Sequence, residues 1–174
     1  MRIRAVVVTL AVAAVAALLA LPAFATKRGT AHPYKNVGTQ SGTFSYKKGP
    51  PEVFAYDIVG PNIGSLGKST VRSYTDASGK NERSTYTFEN GDKLYAIGLQ
   101  DQLPTKGIAC PGPAHGATLA PWYGWEASSE TNIVKGGTGQ FKNATGRFVT
   151  RGCFTFVSAK TWIVTYTEKG TITY

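Results

Sequence analysis

The C-terminal stretch Thr161–Tyr174 reads TWIVTYTEKGTITY, and its side chains alternate in character along the chain. The even positions carry mostly large apolar groups, with one acid and one glycine: Trp162, Val164, Tyr166, Glu168, Gly170, Ile172 and Tyr174. The odd positions carry mostly threonine. Successive side chains of a β-strand point to opposite faces, so this pattern predicts a strand with one apolar face and one face in water.

Seven earlier segments are also short and rich in Val, Ile, Thr, Tyr and Phe, and long helical periodicity is nearly absent after residue 25. They predict strands at Gly42–Lys47, Val53–Val59, Ser69–Tyr74, Arg83–Glu89, Lys93–Leu99, Glu126–Lys135 and Arg147–Val157. The Asn90-Gly91-Asp92 junction predicts a hairpin, because Asn-Gly tolerates positive φ. The fold class is therefore all-β with about eight strands.

Eight strands with one apolar face each must keep that face out of water. Closure into an antiparallel barrel does this and also removes exposed edges, whereas a two-sheet sandwich hides the same faces by stacking. Composition alone does not separate the two architectures. The segment Gln100–Gly124 contains Pro104, Pro111, Pro113 and Pro121 and has no strand pattern. Irregular loops of this length are often functional, so it is expected to be either a lid over a cavity mouth or a surface loop tied down by Cys110.

The N-terminus has the composition of a secretory signal. Arg2 and Arg4 precede an apolar run from Ala5 to Leu21, Pro22 breaks the helix, and the small residues around Phe24 predict cleavage after Ala25. An uncleaved membrane anchor is the less favoured alternative, since the proline and the small residues are signal features. The chain then divides into a signal peptide, residues 1–25, and a single domain, residues 26–174, which is expected to be secreted.

Export changes how the charge and the cysteines are interpreted. The net charge of +9 becomes +7 in the mature chain, because the signal takes Arg2 and Arg4 and no acid with it. Cys110 and Cys153 are the only cysteines, and an oxidising compartment favours a disulfide between them over two free thiols. No Cys/His cluster or hydrolase motif is present, so the sequence predicts no metal site and no cofactor.

One glycine-rich segment, Gly136–Gly146, reads GGTGQFKNATG. It resembles the G-G-T-G-x-F-x-x-A-x-G turn of the allene oxide cyclase/dirigent-like barrels. The residues that carry the resemblance are Gly136, Gly137, Thr138, Gly139, Phe141, Ala144 and Gly146. Glycines there permit tight and left-handed backbone, Phe141 is expected to pack under the turn, and Ala144 leaves room for close packing.

The resemblance implies an eight-stranded antiparallel barrel with a central cavity, in which this turn joins two adjacent strands. It implies that the lumen binds a small apolar molecule, with cyclase- or isomerase-like activity as one function of the superfamily. The turn itself carries no catalytic residue, and the proline-containing loop and cysteine pair depart from the plant members. Whether the protein is an enzyme is left open by the sequence.

The barrel interpretation makes two acids candidates for the lumen. Glu168 shares a strand face with Trp162 and Tyr166, and burial there would raise its pKa and allow it to donate a proton or steer a cation. Asp57 shares a face with apolar residues of its own predicted strand, although it is also compatible with a rim position. A bulge near Gly170 would instead turn Glu168 outward. The expected cavity walls are Tyr86, Tyr95, Trp162 and Tyr166.

The positive charge supports a different function. Lys27, Arg28, Lys35, Lys47 and Lys48 concentrate near the mature N-terminus, and the remaining cations are dispersed. A basic exported protein attracts anionic polymers over long range, so the alternative is a non-enzymatic envelope- or matrix-associated binding module. The sequence predicts neither specific nucleic-acid binding nor a membrane association after signal cleavage, and it does not indicate an oligomeric state.

Overall fold

The computed structural model describes residues 29–47, 53–75, 82–99, 101, 103–112, 114, 124–158 and 160–174. Eight strands account for most of them: β1 (Ala31–Lys47), β2 (Val53–Gly64), β3 (Gly67–Tyr74), β4 (Glu82–Phe88), β5 (Lys93–Gly98), β6 (Trp125–Gly137), β7 (Thr145–Phe156) and β8 (Thr161–Thr173). The predicted signal, residues 1–25, and the cluster residues Lys27, Arg28 and Lys48 lie outside the described residues. No helix in the described ranges is both long enough and apolar enough to cross a membrane.

The strands form one closed antiparallel barrel in sequence order. The last strand returns to the first, with β8 paired to β1 from Ala31↔Thr173 to Thr43↔Thr161. Closure gives each strand a hydrogen-bonded neighbour on both sides. The even-numbered residues of β8 then point into the lumen. The barrel prediction is confirmed, and the sandwich alternative is excluded.

β1 and β2 are longer than their sequence pattern predicted: β1 begins at Ala31 and not at Gly42, and β2 continues past Val59 to Gly64. Gly42 and Gly60 lie where adjacent strands approach closely. A Cβ at Gly42 would overlap the carbonyl oxygen of Asp57, and one at Gly60 would overlap that of Thr39. These glycines therefore permit close strand packing and do not end the strands.

The turn between β6 and β7 contains a 3₁₀ helix, Gly139–Phe141. Gly136 and Gly139 have φ values of +83° and +52°, which favour glycine. Thr138 ties the turn to the start of β5: its Oγ1 accepts from the Lys93 N–H at 2.8 Å, and its own N–H donates to the Lys93 carbonyl at 2.8 Å. The expected packing of Phe141 and Ala144 is confirmed, since both are buried.

The hydrophobic core fills the end of the barrel next to this turn. It consists of Tyr34, Val71, Tyr86, Phe88, Leu94, Ala96, Val134, Phe141, Ala144, Phe148 and Ile172. The opposite end, where β1 ends and β8 begins, carries mostly aromatic and polar inward groups. One end of the lumen is therefore solid, and the space for a ligand lies toward the other end.

The disulfide between Cys110 and Cys153 is confirmed, with an S–S distance of 2.03 Å. It pins the irregular loop to the outer side of β7. The same loop bonds β6 through Leu103, whose N–H donates to the Ser129 carbonyl at 2.8 Å, and Arg151 donates to the Lys106 carbonyl at 2.9 Å. The described part of the loop thus covers the outer wall as a surface loop, and the lid expectation is wrong for it.

Candidate functional site

The lumen contains a cavity of about 430 Å³ that is lined by both polar and apolar side chains. Its apolar lining is contributed by Ile58, Val71, Phe154, Trp162 and Val164. Its uncharged polar lining includes Gln40, Ser73, Ser84, Asn132 and Thr150. Three acids complete it, Glu82, Glu130 and Glu168, and none of the lining residues that the structure describes is Lys, Arg or His. Such a cavity suits a small molecule with an apolar body and a polar end.

Glu168 lies at the inner end of this cavity and is only 3% exposed. Its Oε1 accepts a hydrogen bond from the Tyr86 hydroxyl at 2.6 Å. Its Oε2 accepts from the Tyr34 hydroxyl at 2.9 Å and from Asn36 Nδ2 at 3.0 Å. Three donors converge on one carboxyl group, Tyr34 and Asn36 from β1 and Tyr86 from β4, so the group fixes the positions of both tyrosines.

Burial raises the pKa of Glu168, while the hydrogen bonds from Tyr86, Tyr34 and Asn36 act in the opposite direction. Burial together with the nearby Glu168 carboxyl also raises the pKa of both tyrosine hydroxyls. These hydroxyls therefore stay protonated and remain donors. The expectation that Glu168 faces the lumen with a raised pKa agrees with this geometry, and the described strand has no bulge turning it outward.

A second acidic site lies where β4, β5 and β6 run side by side. Glu82 on β4 pairs with Gly98 on β5, and Glu130 on β6 reaches over the same glycine. A Cβ at Gly98 would lie 3.1 Å from Glu82 Cβ and 3.2 Å from both carboxyl oxygens of Glu130. The missing side chain on the middle strand is what allows the two carboxyls to meet and hydrogen-bond.

Burial raises the pKa of Glu82, and burial with the neighbouring Glu82 carboxyl raises that of Glu130 to about 9. Two carboxyls in contact cannot both ionise easily, so the pair holds a proton near neutral pH. Burial raises the pKa of Tyr56 as well, and its side chain is hydrogen-bonded to Glu82. The pair is thus a proton-carrying group on the cavity wall.

An aromatic wall adjoins this pair. The Trp162 ring centroid is 5.1 Å from that of Tyr56 and 5.4 Å from that of Phe154. Phe44 and Phe156 extend the same cluster, with their ring centroids 4.8 Å apart. Tyr56 therefore contacts the acidic pair and also belongs to the aromatic wall, which makes the two features parts of one site.

Tyr166 lies between the two acidic sites, with glycines on both neighbouring strands. Gly38 and Gly152 are its cross-strand partners, and a Cβ at Gly38 would overlap the tyrosine hydroxyl. Tyr166 is only 6% exposed, yet its hydroxyl has no hydrogen-bond partner among the described residues. Buried polar atoms are nearly always partnered, so this hydroxyl indicates a place for a polar atom of a ligand or a water.

The predicted site residues fall on both sides of the barrel wall. Tyr86, Trp162, Tyr166 and Glu168 line the cavity. Tyr95 was predicted to be a cavity wall, but the buried positions of β5 are Leu94, Ala96 and Gly98, so its side chain lies on the outer face. That prediction is wrong because residues of opposite parity point to opposite faces.

Asp57 is also corrected. It lies on the outer face of β2, where Arg72 donates to its Oδ1 at 2.9 Å and to its Oδ2 at 2.6 Å. The hydrogen bonds from Arg72 lower its pKa, the reverse of what burial in the lumen would do. The inward residues of β2 are Tyr56 and Ile58, because β2 places even positions inside. Asp57 therefore contributes a surface ion pair and no lumen acid.

Sequence reasoning missed Tyr34, Asn36, Tyr56, Glu82 and Glu130. The sequence could have indicated Glu130, because alternate residues of a strand share a face and Glu130 therefore lies on the same face of β6 as the buried Asn132 and Val134. Glu82 precedes the predicted start of its strand by one residue, and Tyr34 and Asn36 lie in the part of β1 that was not predicted. The described residues contain no group of three or more His, Cys, Asp or Glu side chains arranged to hold a metal ion.

Comparison of the chain with protein-family models, with curated proteins and with solved structures finds no match.

Proposed function

We propose that the protein is a secreted barrel of the allene oxide cyclase/dirigent-like type that binds a small molecule in its lumen. The observation that carries this proposal is the cavity of about 430 Å³, in which proton-carrying carboxyls adjoin an aromatic wall. The turn at Gly136–Gly146 supports the family, and the disulfide is consistent with an extracellular protein. The polar lining favours an amphiphilic ligand over a purely apolar one.

The same cavity supports cyclase- or isomerase-like chemistry. An isomerisation moves a proton from one atom of a molecule to another and leaves the composition unchanged. The Glu82–Glu130 pair holds a proton beside the cavity that it can donate, and the carboxylate left behind can accept a proton from another atom of the bound molecule. Tyr86 and Tyr34 are hydrogen-bond donors already oriented by Glu168. The site therefore combines a proton donor and acceptor with fixed hydroxyl groups.

Val164→Trp tests lumen binding, because Val164 lines the cavity without a hydrogen-bonding role. We expect the larger side chain to fill the space and lower the affinity for the neutral apolar dye Prodan by about 10-fold or more, measured by fluorescence titration. Ile163→Trp is the matched control, since its side chain lies on the outer face and should change the affinity by less than about 2-fold. A folded Val164→Trp protein with the parent affinity would overturn the proposal.

A basic surface module is the second candidate, supported by a groove of about 910 Å³ on the outer wall. Lys68, Arg151 and Lys169 line it, together with Val37 and Ile63, and no acid does. Three cations without a neighbouring acid favour an anionic polymer. Such binding depends on long-range attraction and weakens as salt screens it.

Retention on immobilised heparin tests this second candidate. We expect the parent to be retained at about 0.15 M salt and the Arg151→Gln/Lys169→Gln double variant to elute at lower salt. Lys142→Gln, an exposed change in the β6–β7 turn, should elute with the parent. A parent protein that passes through the column at that salt concentration would argue against this candidate and leave the lumen proposal unaffected.

A further inference from the structure

The charge in the cavity has one sign only. Its acids Glu82, Glu130 and Glu168 face no Lys, Arg or His among the described lining residues, although the chain as a whole is strongly basic. A carboxylate in such surroundings lacks a counter-charge from the protein. A ligand that brings a positive charge would supply it.

The two acidic sites differ in the hydrogen bonds that their carboxyl groups already make. Glu168 already accepts three hydrogen bonds from Tyr86, Tyr34 and Asn36. The Glu82 and Glu130 carboxyls share a hydrogen bond beside Gly98, and the neutral side chains of Tyr56, Ser84 and Asn132 add hydrogen bonds to the pair. A cationic donor placed at these carboxyls gains charge-assisted hydrogen bonds that none of the described lining residues provides.

The aromatic wall next to the pair also suits a cation with an apolar body. Tyr56 contacts both Glu82 and the Trp162 ring, so a charge beside the pair lies close to aromatic faces. Aromatic faces attract organic cations, and the indole of Trp is the strongest of them. Phe154 and Val164 continue the wall into the cavity and offer an apolar surface to the rest of the molecule.

Independent of the acids, the hydroxyl of Tyr166 indicates a ligand. It is buried, it lines the same cavity, and it has no partner among the described residues. Glu82 and Glu168 both lie near enough to act on it electrostatically. A polar atom on the body of a molecule seated against Trp162 would satisfy this hydroxyl.

We propose that the lumen binds an organic amine, with its ammonium group between Glu82 and Glu130 and its apolar body against Trp162 and Phe154. This inference rests on the proposed lumen site and names its ligand class. A neutral alcohol of the same shape lacks the charge and should bind more weakly. An ammonium group bound at the pair favours ionisation of a carboxyl, because a nearby positive charge stabilises the carboxylate form.

The test compares tryptamine with tryptophol, which replaces the ammonium by a hydroxyl on the same indole body. We expect tryptamine to bind the full-length mature protein at least about 10-fold more tightly, by isothermal titration near pH 7.5. The Glu82→Gln/Glu130→Gln double variant should remove that preference and leave tryptophol binding within about 2-fold. Glu126→Gln, an exposed change on the same strand as Glu130, should keep the preference.

The outcomes separate this inference from the proposed function. Equal affinities for the two compounds, both lowered by Val164→Trp, would overturn the amine class and support a lumen site for neutral molecules. Binding of Prodan without binding of either indole compound would overturn it as well. Failure of all three compounds would overturn both the amine inference and the lumen proposal. Circular dichroism of each variant shows whether the protein is still folded, so that a loss of binding can be distinguished from unfolding.

Discussion

Phe141→Ala should lower the free energy of unfolding by about 3–5 kcal/mol, the usual cost of deleting a buried phenylalanine ring. Phe141 is fully buried, and its ring centroid lies 4.9 Å from that of Phe88 and 5.0 Å from that of Tyr174. It holds the β6–β7 turn against β4 and the C-terminus, so its loss opens a cavity at the solid end of the barrel. Urea unfolding followed by tryptophan fluorescence measures the change.

Phe154→Ala is the matched control for this prediction. Phe154 lines the ligand cavity and is partly exposed, so its truncation enlarges an existing space and does not create a new one. We expect it to cost less than half as much as Phe141→Ala. An equal or larger loss for Phe154→Ala would mean that the aromatic wall, and not the turn end, is the main hydrophobic core of the barrel.

Glu130→Gln should flatten a strong dependence of stability on pH. The pKa of Glu130 is raised to about 9 in the folded protein, from an ordinary value of 4.5. Between these values the native state holds a proton that the unfolded state has lost, so stability falls as pH rises. One proton corresponds to at most about 1.4 kcal/mol per pH unit. We expect the parent to lose about 3–5 kcal/mol between pH 5 and pH 9.

The raised pKa values of Glu82 and Glu168 act in the same direction, since burial disfavours their charged forms too. Asp57 and Asp101 have lowered pKa values, so both stabilise the folded state at any pH above the ordinary pKa of an aspartate. This stabilisation is lost only in acid, below the interval from pH 5 to pH 9. Glutamine keeps the shape of a protonated glutamate and cannot ionise.

Urea unfolding at several pH values measures the slope for each variant. The Glu130→Gln protein should show a shallower slope than the parent, and the slope that remains comes from Glu82 and Glu168. Glu126→Gln on the same strand should keep the parent slope. A Glu130→Gln protein with the full parent slope would show that the Glu82–Glu130 pair does not carry the proton.

The two acidic sites of the lumen have different roles. Glu168 is saturated by donors, and its removal would release Tyr34 and Tyr86 from fixed positions; it is a positioning residue. The Glu82–Glu130 pair has an ionisable proton next to the aromatic wall, and a Cβ at Gly98 would crowd both glutamates. Gly98 thus belongs to the site although it contributes no functional group.

Local patterns predicted much of the barrel. Alternation predicted β8 and its inward Glu168, and glycine order predicted the turn over Phe141. The same reasoning was wrong at Asp57 and Tyr95. Each of them lies in a correctly predicted strand, but the pattern did not establish whether the odd-numbered or the even-numbered residues of that strand point into the lumen. The extensions of β1 and β2 were not predicted, because single-strand patterns do not reveal where a neighbouring strand approaches closely.

By itself, the sequence determined the fold class, the strand pattern and the disulfide partners, because these depend on alternation, turn chemistry and the presence of two cysteines. The tertiary structure alone decided that the sheet closes on itself and that the described part of the irregular loop lies on the outer wall. It also brought Glu82 and Glu130 together over Gly98, and three donors onto Glu168. These contacts join residues far apart in the chain, and their spacing is set by strand register, which no local pattern encodes.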